Sequence, residues 1–221
     1  MKKRLIGSAI ASSLLLIACG NKQDANETNF SAAIIQHLDK EGGLCLRLNK
    51  WPVDLTEMDL RFQKTIPTAT AGQMDALGTI GLVSGADAEV DQMDMFGKPT
   101  GHKFKVKRYD LTGEGKKFYR EKEVDQTGMG GSKKVIQGDI CYGKKLLDTV
   151  VKWEGPMKFG DYQEANVKYL YKIDGLADWA KKPELQSAFP YIAQTIDAAG
   201  KNEQQLVVKL TSLGWEAKGL Y

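Results

Sequence analysis

The sequence is short of the side chains that ordinarily carry chemistry: its 221 residues include only three cysteines and two histidines. His37 and His102 lie far apart, and with so few thiols they leave too few ligands for a zinc site, so neither metal nor cofactor is expected. There is no Gly-x-Ser-x-Gly elbow, His-Glu-x-x-His helix or Walker loop, so the familiar hydrolase and nucleotide-binding signatures are missing and the chain reads as non-catalytic. Long apolar runs are missing too. The longest, the mostly apolar Leu5 to Ile17, falls short of the roughly 20 residues that a membrane-spanning helix needs. Hydrophobic residues at 42% and charged residues at 27% are nonetheless those of a folded domain, which excludes a disordered tail and a multi-span membrane protein.

Charge of one sign is scarce as well. Of 31 basic residues against 28 acidic ones, three (Lys2, Lys3 and Arg4) lie in residues 1–18, which hold no acid, and without that segment the two signs balance. A neutral chain is a poor ligand for phosphate backbones, whose binding rests on positive charge and counterion release, so no nucleic-acid partner is expected.

What the sequence does have is clearest at the N-terminus. Lys2-Lys3-Arg4 followed by a short apolar run has the form of a signal peptide. The run closes on Leu16-Ile17-Ala18-Cys19-Gly20, which resembles the lipobox of bacterial lipoproteins. The resemblance implies removal of residues 1–18 and lipidation of Cys19, palmitate being the usual acyl group. Two or three acyl chains, at roughly 0.8 kcal/mol per buried CH2, anchor a protein firmly. Gly20 stands where an aspartate would direct retention in the inner membrane. The resemblance therefore implies an outer-membrane lipoprotein facing the periplasm. Residues 19–28 then read as lipidated cysteine and flexible tether, and residues 29–221 as the globular domain, with sub-halves 29–125 and 133–221.

With Cys19 lipidated, Cys45 and Cys141 remain, and an even pair in an exported chain reads as a disulfide; two free thiols far apart are the alternative. From Asn29, a candidate N-cap, Phe30, Ile34 and Leu38 recur every four residues and predict a helix ending at Gly42-Gly43. Leu44 to Leu48 is a strand candidate, Trp51 to Leu55 reads as a loop around Pro52, and Thr70 to Val83 fits a second helix. An acidic block, Asp87, Glu89, Asp91 and Asp94, precedes a strand from His102 to Tyr109 in which lysines alternate with Phe104 and Val106. In the second half, two strands flanking Gly143-Lys144-Lys145 read as a hairpin. Val167 to Ile173 forms a half-buried strand stopped at Gly175, Pro190 divides a helical stripe from Leu185 to Ile196, and Leu206 to Leu210 is the last strand. Strands and helices mix without a regular βαβ repeat, which predicts an α+β domain of antiparallel strands and helices.

The pattern Leu77-x-x-x-Gly81-Leu82-Val83, a basic hairpin, then Tyr109-x-Leu111-Thr112-x-x-Gly115 resembles the recognition-helix and wing of winged-helix domains over residues 70–116. In an exported chain that resemblance implies a scaffold put to another use than transcription. Lys103, Lys105, Lys107 and Arg108 are the candidate binding surface, for a protein, anionic lipid head groups or a cell-wall polymer; a solvated face neutralised by the acidic block is the plainer reading. The run from Gly128 to Lys134 is either an anion cradle or a hairpin turn, and Tyr169 and Tyr171 belong to the core.

Three functions remain open. The first is a lipid-anchored envelope binding or adaptor protein, including inhibitors and immunity-type proteins, with an envelope protein as partner. The second is a small-ligand carrier or sensor, and the third an envelope hydrolase without a familiar motif.

Overall fold

Asn26 opens the fold. The structure, a computed structural model, describes residues 21–219 apart from 49, 64, 129 and 130, so the expectations for the signal peptide and Cys19 lie outside the described residues. The Asn26 side chain accepts the backbone N–H of Asn29 at 2.9 Å and starts helix α1 (Glu27–Glu41), three residues before the expected cap. Asn29 instead fastens the preceding segment, its amide donating to the carbonyls of Asn21 and Asp24. Residues 21–26 therefore fold back on the domain, and Trp215 donates its indole N–H to Gln23 and Asp24. The expected tether over 19–28 is corrected accordingly, since residues 21–28 are docked or helical.

After β1 (Gly43–Cys45), the segment expected to be a loop contains a strand, β2 (Val53–Thr56), with Leu55 buried. The proline disfavours helix before it but leaves the Val53-Asp54-Leu55 alternation free to pair. Thr56 and Asp59 exchange hydrogen bonds at the start of helix α2 (Glu57–Gln63). Helix α3 (Thr70–Thr79) buries Met74 and Leu77 as expected but stops four residues early. Gly81 takes a positive φ of 76°, and Val83 already belongs to β3 (Val83–Met93). β4 (Pro99–Leu111) returns antiparallel to β3 and also pairs with β2, giving a three-stranded sheet in the order β2-β4-β3.

A short helix α4 (Gly113–Phe118) leads to β5 (Tyr119–Gly128) and then to β6 (Gly131–Phe159), a continuous strand of 29 residues. The expected hairpin at Gly143-Lys144-Lys145 is overturned, because these residues lie in the middle of β6. Gly143 is there for clearance: a Cβ would sit 2.9 Å from the Ile173 side chain and 3.2 Å from the Asp174 carbonyl. The hairpins lie instead at the two ends of β6. Its first part pairs with β5, from Gly128↔Gly131 to Tyr119↔Ile140, and its last part pairs with β7 (Tyr162–Asp174), closing at Phe159↔Tyr162. Register shifts between Leu147 and Thr149, Val150 and Lys152, and Glu154 and Met157 bend this long strand.

A 3-10 turn (Asp178–Lys181) precedes helices α5 (Pro183–Ala188) and α6 (Pro190–Ala198), each with a proline in its first turn and so divided at Pro190 as expected. β8 (Gln204–Thr211) is followed by one more strand than the sequence suggests, β9 (Gly214–Ala217). The larger sheet runs β1-β6-β7-β8-β9, with β5 on β6.

Two cores hold these layers together. One packs Phe30, Ile34 and Leu38 of α1 on Val167, Tyr169, Tyr171, Val208 and Trp215 of the large sheet. The other gathers Leu55, Met74, Leu77 and Tyr109 from the first part of the chain with Ile140, Tyr142, Trp179, Leu185 and Phe189 from the second. The expected division between 125 and 133 is thus no boundary: Asp125 and Lys134 pair within one hairpin. The Cys45–Cys141 disulfide joins β1 to β6, and the fold is a single α+β domain.

Candidate functional site

Two surfaces stand out, a hairpin finger and a cleft. The finger is formed by β3 and β4. The register sets Asp87 opposite Lys107, Glu89 opposite Lys105 and Asp91 opposite Lys103, so the three candidate lysines form a stripe faced by acids across the ladder. The register therefore sets an acid opposite each of these lysines, so the stripe is balanced in charge across the ladder. Arg108, one residue further, points to the opposite face. Its Nε and Nη2 donate to the two Asp54 oxygens at 2.7 and 2.8 Å, tying β4 to β2 and holding the Asp54 carboxyl below its ordinary range. Grouping Arg108 with Lys103, Lys105 and Lys107 is corrected for this reason, since its charge is spent inside the sheet.

The end of the finger is a built loop. Asp94 Oδ1 accepts the N–H groups of Phe96 at 2.8 Å and Lys98 at 2.9 Å, and Gly97 turns with a φ of 75°. This geometry leaves Met95 89% and Phe96 80% exposed, with Met93 exposed beside them and Phe104 exposed further down the stem, opposite Val90. At the base of the finger a cleft of about 500 Å³ lies against α2, lined by Glu57, Leu60, Glu89, Lys105 and Lys107.

The second surface is a cleft of about 750 Å³ at the disulfide, bounded by Arg47, Asp139, Tyr142, Lys145 and Tyr191. Arg47 adopts a φ of 60°, the one positive value for a non-glycine residue among those described. The buried Asp139 carboxylate stabilises this turn by accepting backbone N–H groups from Ile140, Arg47 and Leu48, although its burial pushes the carboxyl up from the ordinary range. The Arg47 guanidinium lies 5.2 Å from the Tyr191 ring centroid, and the Tyr191 hydroxyl donates to the Leu46 carbonyl at 2.6 Å. Lys145 sits 4.3 Å from the Tyr171 ring centroid, its amine pushed down by burial and by the charge of Arg47. Two cations, each against an aromatic ring, thus share one concavity, an arrangement suited to an organic anion. Asp139 is committed to backbone donors and is poorly placed to shuttle protons.

Arg47, Asp139 and Lys145 did not stand out in the sequence as site residues. A left-handed arginine has no composition signal, and Asp139 and Lys145 reach the cleft only because β6 is continuous there. Of the residues that did stand out, His37 is half-buried on α1 and His102 is exposed on the finger. Gly128 and Gly131 flank the turn of the β5–β6 hairpin, with Lys134 paired to Glu123 at 2.6 Å. Tyr169 and Tyr171 are core residues, and Trp153 and Trp215 both pack edge-on against Phe30. Among the described residues no three His, Cys, Asp or Glu side chains converge as a metal site, and no helix is long and apolar enough to cross a membrane. Comparison with protein-family models, with curated proteins and with solved structures finds no match.

Proposed function

We propose that the protein is a lipid-anchored binding or adaptor protein of the bacterial cell envelope, of the inhibitor or immunity type, held through Cys19 in the outer membrane and facing the periplasm. It engages a protein partner with the β3–β4 finger. The observation that carries this reading is the finger's end, where Met95 and Phe96 stand 89% and 80% exposed on a hydrogen-bonded loop. Large apolar side chains held out in water on a charged stem mark contact surfaces for other proteins. The charge-balanced stem suits a protein surface better than a polyanion, since Lys103, Lys105 and Lys107 each face an acid. The succession β2, α2, α3, β3, β4 with sheet order β2-β4-β3 supports reading this part as a winged-helix-like scaffold whose wing is the finger.

The test is affinity capture from an envelope extract with a soluble Cys19→Ser bait, run beside the same bait carrying Met95→Asp and Phe96→Asp. A partner retained by the first and lost by the second supports the reading. Equal capture by both, or no capture by either, refutes it.

A second reading, a carrier or sensor of a small organic anion, is favoured by the cleft where Arg47 and Lys145 meet. Binding of aromatic carboxylates that is abolished in Lys145→Ala would support it over the first.

A further inference from the structure

The strand register brings two turns level with the start of the described chain. Phe159 pairs with Tyr162, Glu164 with Lys209, and Thr211 with Gly214, so the Gly160-Asp161 turn and the Ser212-Leu213 turn lie at the same end of the large sheet. Four adjacent strands at about 4.8 Å spacing put Phe159 roughly 14 Å from Gly214. Residues 21–24 are fastened to that same end. The Lys22 carbonyl oxygen lies 3.2 Å from the point a Cβ on Gly214 would occupy, Trp215 donates to the carbonyls of Gln23 at 3.2 Å and Asp24 at 3.1 Å, and Asn29 donates to Asn21 at 2.9 Å. Cys19 is two positions before Asn21, and two residues span at most about 7 Å.

The same end presents apolar side chains that neither core uses. Leu213 is 76% and Phe159 68% exposed, with Met157 and Tyr162 exposed beside them. Tyr162 offers a ring together with a hydroxyl, which bonds Glu164 at 2.7 Å, the amphipathic form that settles at a membrane interface. Resting on the lipid-anchor reading above, we propose that the β6–β7 and β8–β9 turns form a membrane-seating edge, in which Phe159 and Leu213, with Met157 and Tyr162, enter the headgroup region of the leaflet that holds the acyl chains of Cys19. The occupant is a lipid surface and not a protein, because a short, fastened segment leads from this edge to the acylated residue and holds it against the bilayer. Seating by these four side chains adds an apolar contact to the acyl chains and fixes the domain's orientation. The β5–β6 hairpin lies at the opposite end of β6.

The test uses the full acylated chain in phosphatidylethanolamine–phosphatidylglycerol vesicles, with an environment-sensitive fluorophore on Leu213→Cys, Phe159→Cys or, at the far end of β6, Ile136→Cys. Mass measurement of the N-terminal peptide establishes acylation in each sample. The expected result is a blue-shifted emission quenched by doxyl-labelled lipid at positions 213 and 159, and water-like, unquenched emission at 136. An acylated protein in which all three positions behave alike overturns the seating edge and leaves the anchor standing. An unmodified N-terminal peptide overturns both. As a label-free check, Phe159→Asp with Leu213→Asp should speed transfer of the acylated protein between vesicles, and an unchanged transfer rate counts against the proposal.

Discussion

Replacing both Cys45 and Cys141 by alanine should cost the domain a large part of its stability, and the size follows from the sequence separation of 96 residues that the bond closes. In the chain-entropy account a loop of that length removes about 4.7 kcal/mol of freedom from the unfolded chain. For a domain of this size, 1 kcal/mol moves the melting midpoint by about 2–4 °C, so the double variant should melt roughly 10–20 °C lower. The native structure loses little in exchange, because Cys45 and Cys141 already face one another in the β1–β6 register and alanine keeps both strands. Urea unfolding followed by tryptophan fluorescence separates the two states. The variant should show a lower midpoint and a steeper dependence on urea, since the unfolded chain without the bond exposes more surface. A variant within about 1 kcal/mol of the parent would refute the loop-closure reasoning and show that the two cores hold β1 on β6 unaided.

Asp139 and Asp54 should give opposite pH signatures in stability. Burial raises Asp139 above 3.8, so the native state binds more protons than the unfolded chain between 3.8 and the folded value, and stability falls as pH rises through that window; Asp139→Asn should flatten this limb in urea titrations across pH. The Arg108 hydrogen bond lowers Asp54 below 3.8, so its contribution is present above 3.8 and lost as pH falls through the folded value, and Asp54→Asn should make the acid limb shallower. Gly143→Val should cost about 1–3 kcal/mol in thermal melts, because its Cβ would lie 2.9 Å from the Ile173 side chain. Tyr191→Phe should cost about 1 kcal/mol by removing the donor to the Leu46 carbonyl, again read by melting.

Much of the fold was legible where a local pattern had one outcome. The Phe30, Ile34, Leu38 stripe, the Val167 to Ile173 alternation and the split at Pro190 each follow from a period or a fixed φ that tertiary contacts only reinforce. The misreadings share a different cause. Gly143-Lys144-Lys145 looks like a turn because glycine and lysines suit turns, yet the residue that demands the glycine, Ile173, is 30 positions away. Asn29 reads as the cap because the apolar stripe starts at Phe30, yet its amide is taken up by the carbonyls of Asn21 and Asp24 and Asn26 caps the helix instead. At the candidate sites the lysine stripe was visible but its charge balance was not, because that depends on which acid the register sets opposite each lysine. The disulfide was readable from counting, whereas the cleft it borders depends on an arginine in a rare backbone conformation.

One backbone of 29 residues runs from the Gly131 turn to Phe159, a contour of up to roughly 95 Å at about 3.3 Å per residue before its bulges shorten it. Tension applied between the Phe159 end and the far hairpin would travel along this strand, while its hydrogen bonds to β5 and β7 lie across the direction of pull. Such bonds are strained together in shear and not opened one after another, and the Cys45–Cys141 bond clamps β1 where the two ladders meet. A pull along this one strand would therefore meet the two ladders together, and not a hinge between two separately folded halves.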